Sequence, residues 1–432
     1  VGTTRLRWTI SNGTCTPYTA GMNITVNPKG QVNNPGNQIL CNNTITSITF
    51  SSTNPDPSTT YDWTNDTPSI GLPPTGTETT SFTATNNTQN PITATIVVTP
   101  TFTSGGTSCV GPSETFTITV NPSGQVDAIT AQELCNGTLT NPIAFSTNNP
   151  LGTTTYTWTN SDPSIGLAAS GTGNIAAFTA INTGANPIIA TITVTPTLDD
   201  AINGIISCSG APVTFTITVN PNPTVNSASA MTMCNGVLVN YTISSATAGS
   251  SFTWSRPTVT DITEPGVSNQ TSNPINEVLT NSSLSPITVP YTITPIGPAP
   301  TNCPGTPFNL DVTVNPTPNV SATPNFQLIC SGTTTNIGLT TTITGATVTY
   351  SWTAAVTSGS ATGFTNGSGS PIAETLTNTG TSQAVVTYTI TPAIGTCTGI
   401  PITVDIIVNR SGNVIPSGNQ TACNDTNTAV IA

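Results

Sequence analysis

Apolar residues and threonines alternate one for one along much of this chain. The clearest run is Val213-Thr214-Phe215-Thr216-Ile217-Thr218-Val219. Successive side chains of an extended strand point to opposite faces, so such a run lines one face with apolar groups and the other with hydroxyls. Residues 189–195 and 153–158 read the same way. Asn-Pro, Gly-Thr and Ser-Gly clusters punctuate the runs as turns. About seven short strands in about 95 residues predict an all-β immunoglobulin-like sandwich.

The pattern then repeats. An Asn closes an alternating strand at Asn27, Asn121, Asn220, Asn315 and Asn409, in steps of 94, 99, 95 and 94, with Pro after the first four and Arg410 after the last. One series of cysteines (Cys41, Cys135, Cys234, Cys330, Cys423) and a second (Cys15, Cys109, Cys208, Cys303, Cys397) keep the same step. So does an aromatic-x-Trp strand, at Tyr61-Asp62-Trp63, Tyr156-Thr157-Trp158, Phe252-Thr253-Trp254 and Tyr350-Ser351-Trp352. A fixed period of this length marks tandem domains. The expectation is four complete sandwiches strung end to end, at 29–122, 123–221, 222–316 and 317–409. Residues 1–28 read as the last strands of a preceding unit, and 410–432 as the first strand of a following one.

Composition narrows the chemistry. Charged residues make up 5% of the chain, with five Lys and Arg against seventeen Asp and Glu, no His, and a net charge of -12. No basic stripe exists to neutralise nucleic-acid phosphates or anionic lipid headgroups. Without His, a serine or cysteine nucleophile lacks its usual base. No enzyme, metal or cofactor site is expected. Asp56 and Asp199-Asp200, the latter read as part of a long loop, are the acidic candidates for calcium, but they lack EF-hand spacing and do not recur between repeats. They read as solvated loop charges. Sequons such as Asn136-Gly137-Thr138 and Asn281-Ser282-Ser283 carry little information in so Asn- and Thr-rich a chain.

The Trp strand offers two readings. An aromatic and a Trp two residues apart share a strand face and could stack on a sugar ring. In sandwiches, a Trp on this strand is usually the central core plug, and Trp63, Trp158, Trp254 and Trp352 are assigned to the core.

Regular cysteines without metal-ligand spacing predict disulfides and an oxidising, extracellular setting. Within a repeat the two cysteines lie 68, 73, 69 and 67 residues apart. The first belongs to a turn near the start of the domain and the second precedes the last strand, which puts them at opposite ends of a strand of about seven residues. A bridge needs Cα atoms within about 7 Å. Pairs between consecutive repeats are therefore favoured: Cys41–Cys208, Cys135–Cys303 and Cys234–Cys397. Cys15, Cys109, Cys330 and Cys423 are then left to other repeats or stay single. The alternative is the intradomain set, Cys41–Cys109, Cys135–Cys208, Cys234–Cys303 and Cys330–Cys397. A single Lys, Lys29, leaves no Lys–Asn isopeptide bond per repeat.

The runs Thr-Ile-Thr-Val-Asn-Pro, Gln-x-Leu/Ile-Cys-x-Gly-Thr and Tyr-x-Trp-Thr resemble the PKD-like and Ig-like tandem repeats of giant secreted Bacteroidetes surface proteins, including gliding-motility adhesins of the SprB type. The Asp- and Gly-rich loop of true PKD domains after the Trp strand is replaced here by Thr, Asn and Ser. The resemblance implies type IX secretion, a cell-surface location and a filament or stalk role in attachment or gliding. The expected partners are neighbouring repeats of the same chain and surface polysaccharide or other cell-surface proteins, with no nucleic acid and no membrane insertion. A polysaccharide-binding module array and an accessory region of a secreted hydrolase are the alternatives.

Overall fold

The computed structural model describes residues 1–54, 59–200 and 205–412. Asp56, Cys423 and nearly all of the expected unit at 410–432 lie outside them. The chain divides into two compact units, Val1–Pro221 and Asn222–Ala432. Among the described residues it is all-β, with two single 3-10 turns at Pro68–Ile70 and Pro163–Ile165.

The first unit opens with a hairpin of β1 (Gly2–Ile10) and β2 (Tyr18–Val26). Its register sets Leu6 opposite Met22, Trp8 opposite Ala20 and Ile10 opposite Tyr18. Directly opposed residues share a face, so one face is apolar while Arg5, Arg7 and their partners Asn23 and Gly21 occupy the other. Two sheets follow. The first runs β3 (Gln38–Cys41), β10 (Glu114–Asn121), β8 (Ile92–Ser104), β5 (Thr59–Asn65), β6 (Thr75–Thr77), with β9 (Thr107–Val110) on the far end of β8. A pair of β4 (Ile45–Ile48) and β7 (Thr80–Thr83) faces it. The second runs β11 (Gln132–Cys135), β16 (Val213–Asn220), β14 (Ile188–Asp200), β12 (Thr153–Asn160), β13 (Ser170–Thr172), with β15 (Ile205–Ser209) on β14.

The second unit repeats this order. One sheet is β17 (Ala230–Met233), β21 (Phe308–Val314), β20 (Ile287–Ile296), β18 (Ser251–Arg256), β19 (Val267–Gln270). Four short strands lie around the last sheet: β22 (Ser321–Thr323), β24 (Thr333–Thr334), β25 (Gly338–Thr340) and β27 (Ala361–Thr362). That sheet runs β23 (Phe326–Cys330), β32 (Ile402–Asn409), β30 (Ala384–Ile394), β26 (Thr349–Ser358), β28 (Gly367–Ser368), with β31 (Cys397–Thr398) on β30 and β29 (Thr375–Asn378) in the facing layer. In all four sheets the first strand pairs parallel with the last, and the remaining pairs are antiparallel.

Each sheet covers its own core. The four clusters draw on residues 48–120, 143–219, 233–314 and 320–408 respectively. The alternation explains why. In β10 every second residue from Phe116 is buried while the intervening threonines are partly exposed, so each strand buries one side chain in two against the facing layer.

The long strand runs further than its alternation suggests. β14 continues through Pro196 to Asp200, so Asp199 and Asp200 are strand residues rather than loop residues. Proline normally breaks a ladder because it lacks an N–H. At Pro196 the neighbouring strand changes from β16 to β15, and the Pro196 carbonyl accepts the Gly210 N–H at 2.8 Å. Pro100, Pro295 and Pro392 occupy the same place, opposite Tyr61, Phe252 and Tyr350.

A buried asparagine fastens each sandwich. Asn86 donates through Nδ2 to the Asn90 and Val120 carbonyls, and its Oδ1 accepts the Thr88 N–H. Asn182, Asn281 and Asn378 do the same with Val219, Val314 and Val408. One amide thus ties the loop before the long strand to the end of the last strand.

Candidate functional site: the linked cysteines and the glycines beside them

In the first unit Cys41 is bonded to Cys208, with Cα atoms 5.4 Å apart. In the second, Cys234 is bonded to Cys397, with Cα atoms 5.3 Å apart. Both bonds join one sandwich to the next. Cys135 and Cys303 are also disulfide-bonded, whereas Cys15, Cys109 and Cys330 are free thiols.

The intradomain set is therefore not what the structure holds, and strand length is the reason. Cys135 lies opposite Asn220, at the end of the sheet where Val219 meets Ile188. Cys208 lies opposite Leu198, ten residues further along β14. At about 3.3 Å per residue that is roughly 33 Å, several times the reach of a disulfide. Likewise Cys330 sits opposite Asn409 and Cys397 opposite Ile394, at the two ends of β30.

Each cysteine type has its own local frame. A first-series cysteine ends a strand, or at Cys234 directly follows one, and the residue two places on turns the chain with positive φ: Asn43 at 66°, Gly137 at 81°, Gly236 at 70° and Gly332 at 83°. That left-handed conformation is costly for most side chains and free for glycine, with Asn the tolerated exception. A second-series cysteine is followed two places on by Gly111, Gly210, Gly305 or Gly399. There the incoming chain crosses so closely that an added Cβ would stand 1.8 Å from the Gly30 or Gly124 carbonyl oxygen, 2.0 Å from that of Pro223 and 1.9 Å from that of Pro318. The crossing is stitched by backbone bonds: the Gly30 and Gly124 N–H groups donate to the Cys109 and Cys208 carbonyls at 3.1 Å each. This Cys-x-Gly signature was present in the sequence beside every second-series cysteine of the four complete repeats. Alternation and cysteine spacing do not reveal it, because its cause is a close backbone approach.

Hydrogen bonds add to the link within the second unit. The Thr344 N–H donates to the Leu284 carbonyl at 2.9 Å, and the Ser285 and Thr344 hydroxyls lie 2.5 Å apart.

Trp63, Trp158, Trp254 and Trp352 are all buried in the cores, none more than 8% exposed. Three of the indoles lie flat over a glycine of the adjoining strand. Gly76, Gly171 and Gly367 are in register with them, and a Cβ there would come within 2.1–2.6 Å of the ring. In that position the rings offer no platform to a sugar. Trp8, Tyr18 and Phe326 are exposed aromatics, two of them on the β1–β2 hairpin. Asp199 accepts the Ser207 hydroxyl at 2.9 Å. Among the described residues no group of three His, Cys, Asp or Glu is placed to hold a metal ion.

One buried polar cluster went unseen in the sequence. Arg256, 2% exposed, makes a two-pronged contact with Glu277, at 2.9 Å for each pair of atoms, and donates to the Glu264 and Pro265 carbonyls. The Tyr291 hydroxyl also donates to Glu277. Burial, then the Glu277 carboxylate, raises the Tyr291 pKa far above its ordinary value. Tyr388 is raised in the same way by burial and Glu374.

With this geometry in place, residues 231–318 and 327–412 match the family model of the PKD-like domain. Those two segments are similar to the PKD-like domain, within a chain of tandem β-sandwiches. A comparison with curated proteins finds no match. Solved structures that align with this repeat protein include Sidekick-1 immunoglobulin domains 1–5 (10% identity, 92% of this chain and 84% of that one, TM-score 0.27). Drosophila N-cadherin EC1-4 aligns at 10% identity over 82% and 92%, with a TM-score of 0.26. The protocadherin GammaB4 extracellular domain aligns at 11% identity over 94% and 71%, with a TM-score of 0.24. At such TM-scores the alignments carry no argument about what these repeats do.

Proposed function

We propose that these repeats form a stalk segment of a long, secreted, cell-surface adhesin, serving surface attachment or gliding motility. The observation that carries this reading is that cysteines link successive sandwiches rather than closing each one upon itself. An intradomain bridge stabilises one module. A bridge to the next module couples their resistance to extension, which is what a tether under tension requires. On this reading the domain limits are those of the 94–99-residue period, Cys135 pairs with Cys303 as the third link, and the partners are neighbouring repeats together with surface glycans or proteins. The resemblance to Bacteroidetes surface proteins suggests type IX export.

The test is mechanical. Pulled by its ends in a single-molecule instrument, the oxidised chain should extend several hundred ångströms less than the same chain in reductant. A closed loop of 167 residues withholds on the order of 600 Å of extended chain. Equal contour lengths with and without reductant would sink the proposal.

A further inference from the structure

Two neighbouring segments part in the second sandwich and meet in the third and fourth. In the fourth, β22 pairs directly with β25, setting Ser321 opposite Thr340, Ala322 opposite Leu339 and Thr323 opposite Gly338. In the third, the Asn226 N–H donates to the Ser244 carbonyl at 3.0 Å. The Tyr241 side chain fills the space beyond, its hydroxyl donating to the Ala228 carbonyl at 2.5 Å and lying 2.8 Å from Ser227 Oγ. The second sandwich makes the same first bond, from the Asp127 N–H to the Ser146 carbonyl at 2.9 Å. Beyond it, however, Ile143 takes the place of Tyr241. The main chain proves the equivalence: the Ile143 and Tyr241 N–H groups donate to the Ile175 and Ile275 carbonyls. Two residues on, those of Phe145 and Ile243 donate to Asn174 Oδ1 and Asn273 Oδ1.

Isoleucine is shorter than tyrosine and stops short of where the phenol hydroxyl stands. What remains is a cavity of about 370 Å³, open to solvent. Ile129 and Ile143, both packed on the core, line its floor, and exposed Ala128 and Ala144 form its rim. Gln132 holds one end by donating to the Asn141 carbonyl at 2.9 Å and accepting the Asn141 N–H at 3.0 Å. Asp127 holds the other, accepting from Ser146 Oγ at 2.6 Å and Asn148 Nδ2 at 2.7 Å. Walls fixed in advance lose little entropy on binding.

We propose that this slot is a docking site for a tyrosine side chain of a partner polypeptide. The third sandwich supplies the argument, because it closes the equivalent space with a phenol of its own. An incoming ring covers Ile129 and Ile143 and donates its hydroxyl to the Ile129 carbonyl, the counterpart of the Ala228 carbonyl. A ring with a polar tip suits a recess that is apolar at its floor and polar at its ends. The chain carries a net charge of -12, so a tyrosine flanked by basic residues is favoured. The slot lies within one sandwich and gives the stalk a lateral partner. It does not depend on the linked cysteines, so the pulling experiment and the one below fail separately.

The test follows the isoleucine methyl signals of the full chain by NMR during titration with the peptide acetyl-Lys-Tyr-Lys-amide. Expected is a saturable shift of the Ile129 and Ile143 methyls. The Phe analogue, acetyl-Lys-Phe-Lys-amide, should bind about fivefold more weakly, since it leaves the carbonyl unpaired. Ile143→Tyr installs the third sandwich's own plug and should abolish binding. Ala128→Trp covers the slot from its exposed rim without entering the core, and should abolish binding in a chain whose fold is undisturbed. Unmoved methyls, equal affinity for the two peptides, or full binding by Ala128→Trp would each overturn the proposal. So would p-cresol binding where the tyrosine peptide does not, which would make the slot a site for small phenols instead.

Discussion

The two units build one fold around different corners. Four residues before the fastening asparagine the first unit places Phe82 and Phe178, and ten residues after it Ile96 and Ile192. At the same positions the second unit places Glu277 and Glu374, then Tyr291 and Tyr388. The first unit fills the nearby space with Ile70, Leu72, Ile165 and Leu167 from its Pro-Ser-Ile-Gly-Leu turns, and Asn65 and Asn160 donate to the Leu72 and Leu167 carbonyls. The second unit spans it with a Tyr-to-Glu hydrogen bond, to which the third repeat adds Arg256. The PKD-like model matches only the Glu–Tyr pair of repeats. A sandwich corner can thus be closed by packing or by a saturated polar network, provided that every buried donor and acceptor is met.

The comparison can be broken most sharply at Glu277. Glu277→Leu strands the buried Arg256 guanidinium and should cost about 3–5 kcal/mol, read as a lower urea midpoint for the second unit with the first unit's transition unmoved. Alkaline titration should separate the units next. Tyr291 and Tyr388 are held neutral in the fold, so their contribution is intact below the ordinary tyrosine value and is lost as pH rises above about 10. The slope is about 1.4 kcal/mol per pH unit for each. Unfolding monitored between pH 9 and 12 should therefore reach the second unit first, and a first unit that melts earlier would contradict this account.

The asparagine clasp is common to both units, so Asn182→Ala and Asn281→Ala should cost alike, about 2–3 kcal/mol each in chemical denaturation. Unequal losses would show that the corner and the clasp are coupled. Importing the apolar solution, as Glu374→Phe with Tyr388→Ile, should change stability by less than about 1.5 kcal/mol if the two corners are interchangeable. The smallest effect belongs to Asp66. The Thr95 N–H, then the Thr67 hydroxyl, hold its carboxyl below the usual range, while Ser161 makes the equivalent bond to Thr191 without charge. The Asp66 contribution is present above the unfolded carboxyl value near 4 and fades as pH falls through the lower folded value. Asp66→Ser should flatten the stability profile of the first repeat between pH 2 and 5.

What the sequence made legible was whatever repeats in period two or period 95. Val213–Val219 shows its buried face by alternation alone, and the Trp strand recurs often enough to be placed in the core. A length argument favoured Cys41–Cys208 and Cys234–Cys397 over the intradomain alternative, since no side chain spans a ten-residue strand. Asn86, Asn182, Asn281 and Asn378 stayed hidden because an amide that clasps two carbonyls looks the same in sequence as any other Asn of an Asn-rich chain. Asp199 and Asp200 were misplaced because a proline ordinarily ends a strand, and the exchange of neighbours that rescues Pro196 is a tertiary event. The exchange of Phe and Ile for Glu and Tyr was written in the chain, but only the fold shows that each pair meets.

Cys41 and Cys208 enclose most of the first two sandwiches in a single covalent ring. A peptidase that hydrolyses any one peptide bond between them opens the ring and releases nothing, since both new ends stay attached through the sulfurs. No Lys or Arg lies inside that ring, so trypsin-like enzymes find no place to start. A protein built this way tolerates being nicked.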